Sequence, residues 1–374
     1  MESGPVIPGR DAQLVAEGRA AATAIRAEHG AGPWSRAELL NIFTRLRIQG
    51  YLGSTIDQSG GGSGLALGQF ASLLEGLATG VAFLSNHSVQ RFIDRSGSPE
   101  AVEQVLPGLL DGTRIGAVAI TEPHGGSSIK DMRTTIEPEG TELVLNGRKD
   151  WVTHAMTADT AAVLAVDEQG RPVRAIVDLS IPGVSRIPLH AHGLRHLTFG
   201  SLRFDGVRVQ RWRVLDEDGA AGAKAGLGTA RALVAVQAVG LGFQALTDAA
   251  EHLATRTARG SRVIDLDLTS ERIGALGAEL QGARLLAYHA IKAVETAHDS
   301  AAALASGAKA HACAVAVRAC TELVSMCAGH GLDCNSRLTG YRDDAEMLAT
   351  ADGTGVVNRV IWGSHLKKHL DQCF

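Results

Sequence analysis

Residues 145–159 read LNGRKDWVTHAMTAD, and the reading of this run decides how the chain is built. It continues ELVLNGRKDWV (142–152), a β-type run rich in branched and aromatic residues and punctuated by the turn signal Asn146-Gly147. Similar short runs surround it: GAVAI (116–120), AAVLAV (161–166), VRAIVDL (173–179) and SLRFDGVRV (201–209). Glu168-Gln169-Gly170 and Asp205-Gly206 are further turn signals between or within them. Together they predict a small antiparallel β domain over residues 116–215.

The chain on either side reads as helix. Over residues 1–115, Asp11 to His29 is rich in alanine, and Ser35-Arg-Ala-Glu38 is a capping box opening a helix with Leu39, Leu40, Ile42, Phe43 and Leu46. Gly50 suits its end. SGGGSG (59–64) lacks the Lys-Ser/Thr of a phosphate loop and is expected to be a flexible turn. Helical stretches are expected around 66–94 and 98–110. Over 220–374, long helices are predicted at Ala230–Arg256, Ser270–Thr296, Ala301–Cys327 and Val356–His369, and their short connections imply a bundle.

Composition narrows the function. The 374 residues are 45% hydrophobic and 20% charged, with net charge −4 and no long basic or acidic run, so nothing points to nucleic acid. MESGPVIPGRD lacks the layout of a signal peptide, and a cytoplasmic protein is expected. The longest apolar stretch, Ala232 to Leu246, is interrupted by Gln237 and Gln244 and reads as a buried helix too short to span a bilayer. Cys313, Cys320, Cys327 and Cys334 recur every seven residues. On one helix neighbours would stand roughly 10 Å apart, too far for a disulfide or a shared metal. Cys313, Cys320 and Cys327 are expected to be small packing residues, and no metal site is expected.

AITEPHGGSSIKDMRT (119–134), followed by LNGRKDWVTHAMTAD, resembles the signature of the acyl-CoA dehydrogenase family: Thr-Glu-Pro, a Gly-Ser step, then Asn-Gly-x-Lys-x-Trp-Ile-Thr. The resemblance covers nearly the whole chain. GLRHLTFGSLRFDGVRV (193–209) is similar to the family's later β segment. AVGLGFQALTDAAEHLATR (238–256) is similar to its first bundle helix, and YRDDAEMLATADGTGVVNRVI (341–361) to its last segment. The resemblance implies an α+β fold: an N-terminal helical domain, a central β domain and a C-terminal four-helix bundle. It implies FAD between β domain and bundle, with a neighbouring subunit completing the FAD site in a homotetramer built as a dimer of dimers. The implied activity is α,β-dehydrogenation of an acyl thioester, on CoA or on an acyl-carrier protein. A carboxylate removes the α-proton, flavin N5 receives the β-hydride, and an electron-transfer flavoprotein is an implied electron acceptor.

Carried over residue by residue, Ile120 and Thr121 would meet the flavin ring, Trp151 would pack on it and Thr153 would reach its N5 edge. Ser127 would sit where flavin and substrate meet, and Thr354 would approach the flavin. Arg256 would pair with the pyrophosphate of a neighbouring subunit's FAD, and Gly329 falls in the segment near the adenine end. Asp352, in TADGTG (350–355), falls on the family's catalytic glutamate and is the candidate base, although an Asp-Gly pair is by default a turn. Arg231 is the implied substrate-side arginine, and Ala230 before it offers no second carboxylate. His154 is expected to be a turn residue rather than a proton donor at the flavin edge.

The chain departs from the family pattern in several places. The acid is shorter by one methylene, which withdraws a base by about 1 Å, an error that can cost about a hundredfold in rate. Ser325-Met-Cys-Ala328-Gly329 replaces Gln-x-x-Gly-Gly, and Arg256-Thr-Ala-Arg259-Gly260 replaces Arg-x-x-Phe-Gly. Ala351 stands where an aromatic residue commonly precedes the acid, and Asp343-Asp344-Ala345 replaces Arg-Asp-Ala. The alternatives are a flavin-dependent monooxygenase on the same fold, motivated by the short acid, and a subunit of a hetero-oligomeric acyl-CoA dehydrogenase.

Overall fold

The computed structural model describes residues 7–78, 80, 83–126, 131–215 and 219–369. Among the described residues six α-helices come first: α1 (Ala12–His29), α2 (Arg36–Ile48), α3 (Leu67–Leu77), α4 (Leu84–Ser96), α5 (Pro99–Gln104) and α6 (Leu106–Leu110). Asp11 caps α1 by accepting from the amides of Gln13 and Leu14, and the Ser35–Glu38 capping box opens α2. The helix expected over 66–94 is two helices, α3 and α4, because the chain turns at Ala78 (φ +47°). α3 is buried at every position but Gln69 and packs against α1 and the bundle. SGGGSG is not a loose turn: a Cβ at Gly62 would collide with the carbonyl of Ile56, so its compactness requires the glycine.

Seven strands follow: β1 (Gly116–Ala119), β2 (Thr135–Glu139), β3 (Glu142–Val152), β4 (Thr160–Val166), β5 (Pro172–Asp178), β6 (Val184–Pro188) and β7 (Gly200–Gln210). They form one sheet in the order β1-β4-β2-β3-β7-β6, with β5 on β4. The expectation of an antiparallel sheet needs one correction. β1–β4 and β2–β4 are parallel, because the antiparallel β2–β3 pair intervenes in the chain before β4 is laid beside β1 and β2 in their own direction. Asn146-Gly147 and Asp205-Gly206 end no strand. They face each other within the long β3–β7 pair, where the register shifts between Leu145 and Gly147 and the Asn146 side chain accepts from the Gly206 amide at 2.8 Å. Gln169-Gly170 does turn the chain, between β4 and β5.

The last part is α7 (Gly219–Thr255), a two-residue hairpin β8 (Thr257–Ala258) and β9 (Ser261–Arg262), α8 (Asp267–Glu295), α9 (Ala301–Met326), the short α10 (Ala328–Leu332), α11 (Arg337–Thr350) and α12 (Gly355–Lys368). α7, α8, α9 and α11 form the bundle, and α12 lies on α9. α11 has no counterpart among the helices expected from sequence. α7 is longer than expected. Its Gly226–Thr255 stretch is apolar and long enough to cross a membrane, but 72% of its most apolar window is buried inside the protein, as befits a core helix. Cys313, Cys320 and Cys327 are buried and Cys334 is exposed.

α7 meets α3 at Gly240, where an added Cβ would strike the Glu75 carbonyl. A fixed carbonyl cannot yield as a flexible side chain can. Gly240→Ala is therefore expected to destabilise by about 1–3 kcal/mol through overpacking. Thermal melting of the variant checks this; an unchanged Tm would show that the helices separate freely.

Candidate functional site

The sheet, α4, α7 and the α11–α12 junction enclose a cavity of about 820 Å³. It gathers Ile120, Thr121, Trp151, Thr153, Arg231, Asp352 and Thr354, seven of the residues singled out from sequence. Ser127 lies outside the described residues. Arg256 and Gly329 do not line the cavity. They are exposed near the far end of α7 and in α10, a corner marked by the stacked rings of His252 and His330.

The floor is made where β1 and β3 end. The two signature runs are stitched together by a buried ion pair: Lys149 Nζ donates to Glu122 Oε1 at 2.8 Å and to the Ile120 carbonyl at 3.0 Å. Both side chains are at most 4% exposed. Glu122 also accepts from the amides of Arg133 and Thr134. Burial alone would raise its pKa, but Lys149, Thr134 and the two amides outweigh that and hold it at about 2. The Lys149 ammonium is itself shifted down by burial, with Glu122 opposing. Glu122 is therefore ionised at neutral pH. The Asp150 amide donates to the Thr121 carbonyl at 2.8 Å, locking the two strand ends in register.

This frame presents Trp151 to the cavity. Its backbone has φ +57°, the indole is 51% exposed, and it meets Phe199 edge-on at 6.1 Å. It is thus not a core tryptophan between sheet and bundle. The hydroxyls of Thr121 and Thr153 make no hydrogen bond to another described residue. His154 is fully buried with φ +61°, and its carbonyl accepts from the amides of Thr157 and Ala158. It shapes the turn after β3 and does not line the cavity.

The roof is TADGTG. Asp352 has φ +49° and Gly353 φ +97°, a double left-handed bend that an Asp-Gly pair tolerates. Three side chains fix it through backbone oxygens. Arg231 Nε donates to the Asp352 carbonyl at 3.0 Å, and its Nη1 donates to Ser306 Oγ at 3.3 Å. Lys309, fully buried on α9, donates to the carbonyls of Ala349 (2.8 Å) and Gly353 (2.7 Å). Asn358 donates to those of Gly353 and Thr354. The Thr354 hydroxyl caps α12, accepting from Val357.

The Asp352 carboxylate is left uncommitted: it makes no hydrogen bond or ion pair with another described residue. What surface it has opens into the cavity rather than to bulk solvent. Burial raises its pKa, opposed by the nearby charges of Lys309 and Arg231. A desolvated carboxylate beside cations that spend their hydrogen bonds elsewhere is an available base. Sequence reasoning missed Lys309, Asn358 and the Glu122–Lys149 pair. The signal for Lys309 was a lone charge on an apolar face, with Ala305, Ala308, Ala312 and Cys313 around it.

Helices, mixed sheet and bundle close on one cavity that holds an uncommitted acid, and the family models matched by the chain are those of oxidoreductases acting on CH–CH groups. Residues 117–207 match the family model "Acyl-CoA dehydrogenase, middle domain" and residues 217–367 match "Acyl-CoA dehydrogenase, C-terminal domain"; the chain belongs to the acyl-CoA dehydrogenase family. It is 29% identical over 342 residues to the caffeyl-CoA reductase-Etf complex subunit CarC of Acetobacterium woodii, covering 87% of this chain and 90% of that one. In fold it is similar to butyryl-CoA dehydrogenase from Megasphaera elsdenii, with a TM-score of 0.85 at 24% identity, covering 98% of this chain and 100% of that one. The prolyl acyl carrier protein oxidase AnaB is also similar in fold, with a TM-score of 0.83 at 22% identity, covering 95% and 98% of the two chains.

Proposed function

We propose that the protein is an FAD-dependent dehydrogenase of acyl thioesters, with Asp352 as the base that takes the α-proton. The observation that carries this reading is the uncommitted, desolvated carboxylate of Asp352 on the same cavity as the half-exposed indole of Trp151. A planar ring system needs an aromatic or backbone surface to lie on and polar groups at its edge. The cavity supplies these in Trp151, Ile120, and the hydroxyls of Thr121 and Thr153, with Thr354 on the opposite side. These residues fit FAD and would hold it. Bound FAD supplies the electron sink, taking up the hydrogen lost from Cβ with its electron pair.

The chain's own work is positional and electrostatic. The Arg231–Lys309–Asn358 clamp keeps the Asp352 backbone in one conformation, so that the short carboxylate has a fixed reach. Arg231 and Lys309 place positive charge near the proton transfer, which favours charge building on the thioester side. The apolar walls, including Leu84, Leu233, Val234 and Val357, exclude water.

The corner of Arg256 and Gly329 is proposed to serve a neighbouring copy in a homotetramer. Arg256 is exposed and its guanidinium makes no hydrogen bond or ion pair with another described residue, as suits a group whose partner belongs to another subunit. Acyl-CoA and acyl-carrier protein are the proposed substrates, an electron-transfer flavoprotein the proposed acceptor, and the cytoplasm the proposed compartment.

The test is an anaerobic titration of FAD-loaded protein with short acyl-CoA and carrier-bound thioesters, following flavin absorbance. Bleaching by a thioester alone is expected. FAD-loaded protein that no thioester bleaches would overturn the reading in favour of an oxygenase.

A further inference from the structure

α4 lays a polar stripe along the cavity. Ser85, His87, Ser88, Arg91 and Arg95 all line it, at the one-turn spacings that put side chains on one helix face. The serines are spent locally: Ser85 accepts from the Val118 amide and Ser88 donates to the Leu84 carbonyl. The two arginines are not. Neither makes a hydrogen bond or ion pair with another described residue. Asp94 attracts Arg91 from beyond ion-pair distance, while Arg95 repels it. Arg91 is half-buried, so its charge is partly desolvated without a counter-ion. Nearby Arg174 differs, because it stacks over Phe92 at 3.7 Å and has a further partner.

An arginine half-withdrawn from water, with a like charge one turn away, is costly in the empty protein. An apolar acyl group alone would deepen that cost. A bound oxyanion removes it, and the guanidinium fork matches phosphate and carboxylate alike.

The position of the pair along the cavity selects between these. α4 and α7 pass the cavity in opposite senses. Phe92 lies against Gly226 of α7, whereas Gln237, further along α7, donates to the carbonyl of Ala78, on the segment leading into α4. The described residues at the Gln237 end, Ala78, Leu233, Val234 and Gln237 itself, are buried. Arg231, and with it Asp352, stands between the two ends, about 7.5 Å along α7 from Gly226. Arg91 and the exposed Arg95 therefore stand on the open side of the acid, where the arm of a thioester would leave once its acyl group filled the buried end.

We infer that Arg91, with Arg95 beyond it, receives an oxyanion of the thioester substrate, and that this oxyanion is the phosphate of the pantetheine arm. The inference rests on the acyl-thioester reading above. The other source of the same chemistry is a carboxylate on the acyl group itself.

The test uses non-oxidisable S-alkyl thioethers, so that binding is read whether or not a thioester bleaches the flavin. Affinities for FAD-loaded protein are measured calorimetrically for butyl-pantetheine against its 4′-phosphorylated form, and for the butyl against the 3-carboxypropyl compound. The proteins are wild type, Arg91→Ala and Arg91→Lys. Wild type is expected to prefer the phosphorylated arm by at least about tenfold, the scale of one charge-assisted contact. In Arg91→Ala the ratio should fall to within about twofold, and Arg91→Lys should keep an intermediate ratio, which a merely structural role would not produce. If the carboxylate ratio collapses instead, the oxyanion receptor stands but its ligand is the acyl group. Ratios unmoved by either substitution, or no binding of any arm, would overturn the proposal. The bleaching titration judges the reaction separately.

Discussion

Asp352→Asn is expected to slow flavin reduction by an acyl thioester by at least about a hundredfold at neutral pH, the usual scale for loss of a general base, while making the protein more stable. The two effects share one cause. Burial raises the Asp352 pKa above the ordinary 3.8, with Lys309 and Arg231 only partly opposing it. The folded protein therefore holds that proton more tightly than the unfolded chain. Stability from this group is greatest below pH 3.8. It falls as pH rises between 3.8 and the raised value, and the penalty is complete above it. Asparagine carries no such penalty, so the variant should melt higher than wild type at neutral pH and lose that advantage in acid. The wild-type rate should fall as pH drops through the raised pKa, because only the carboxylate accepts a proton. Stopped-flow bleaching and melting curves across pH measure both. A variant that bleaches as fast as wild type would remove Asp352 from the mechanism.

The second large effect concerns stability. Lys149→Met is expected to destabilise by about 3–5 kcal/mol, because it strands the buried Glu122 carboxylate without its counter-charge. It also leaves the Ile120 carbonyl without the ammonium that now bonds it. Glu122→Gln should cost less, since an amide can still accept from the Arg133 and Thr134 amides. The pH dependence follows from the depressed Glu122 pKa. Its stabilisation is fully present above the unfolded value of 4.5 and is lost as pH falls through about 2. The Lys149→Met protein should lose the Lys149 share of that acid-labile component and keep at most what Thr134 and the two amides supply. Denaturant titration at pH 7 and in acid separates the outcomes, and a loss below about 1 kcal/mol would mean that the pair can be broken without penalty.

Much of the site was legible because it is written in contiguous runs. AITEP and GRKDWVT each place several cavity residues on one strand end, and the β-type composition of those runs is local information. The long helices were legible for the same reason. What failed depended on contacts distant in sequence. Asn146-Gly147 and Asp205-Gly206 look like turns singly, yet opposite each other they make a bulge within a continuous ladder. The glycines of SGGGSG signal freedom in isolation and tight packing in the fold. Lys309 is about forty residues from the carbonyls it holds. Arg91 lies in an unremarkable stretch of helix, and only the cavity shows that it has no hydrogen bond or ion pair among the described residues.

The bend at Asp352 has one more consequence. Its shape is set through oxygens of the main chain, by donors on α7, α9 and α12, and not through the carboxylate that hangs from it. Architecture and reactivity are thus carried by different atoms. A lineage can lengthen, shorten or discard the acid without dismantling the scaffold around it, which makes this position one where new chemistry can be tried at little risk to folding.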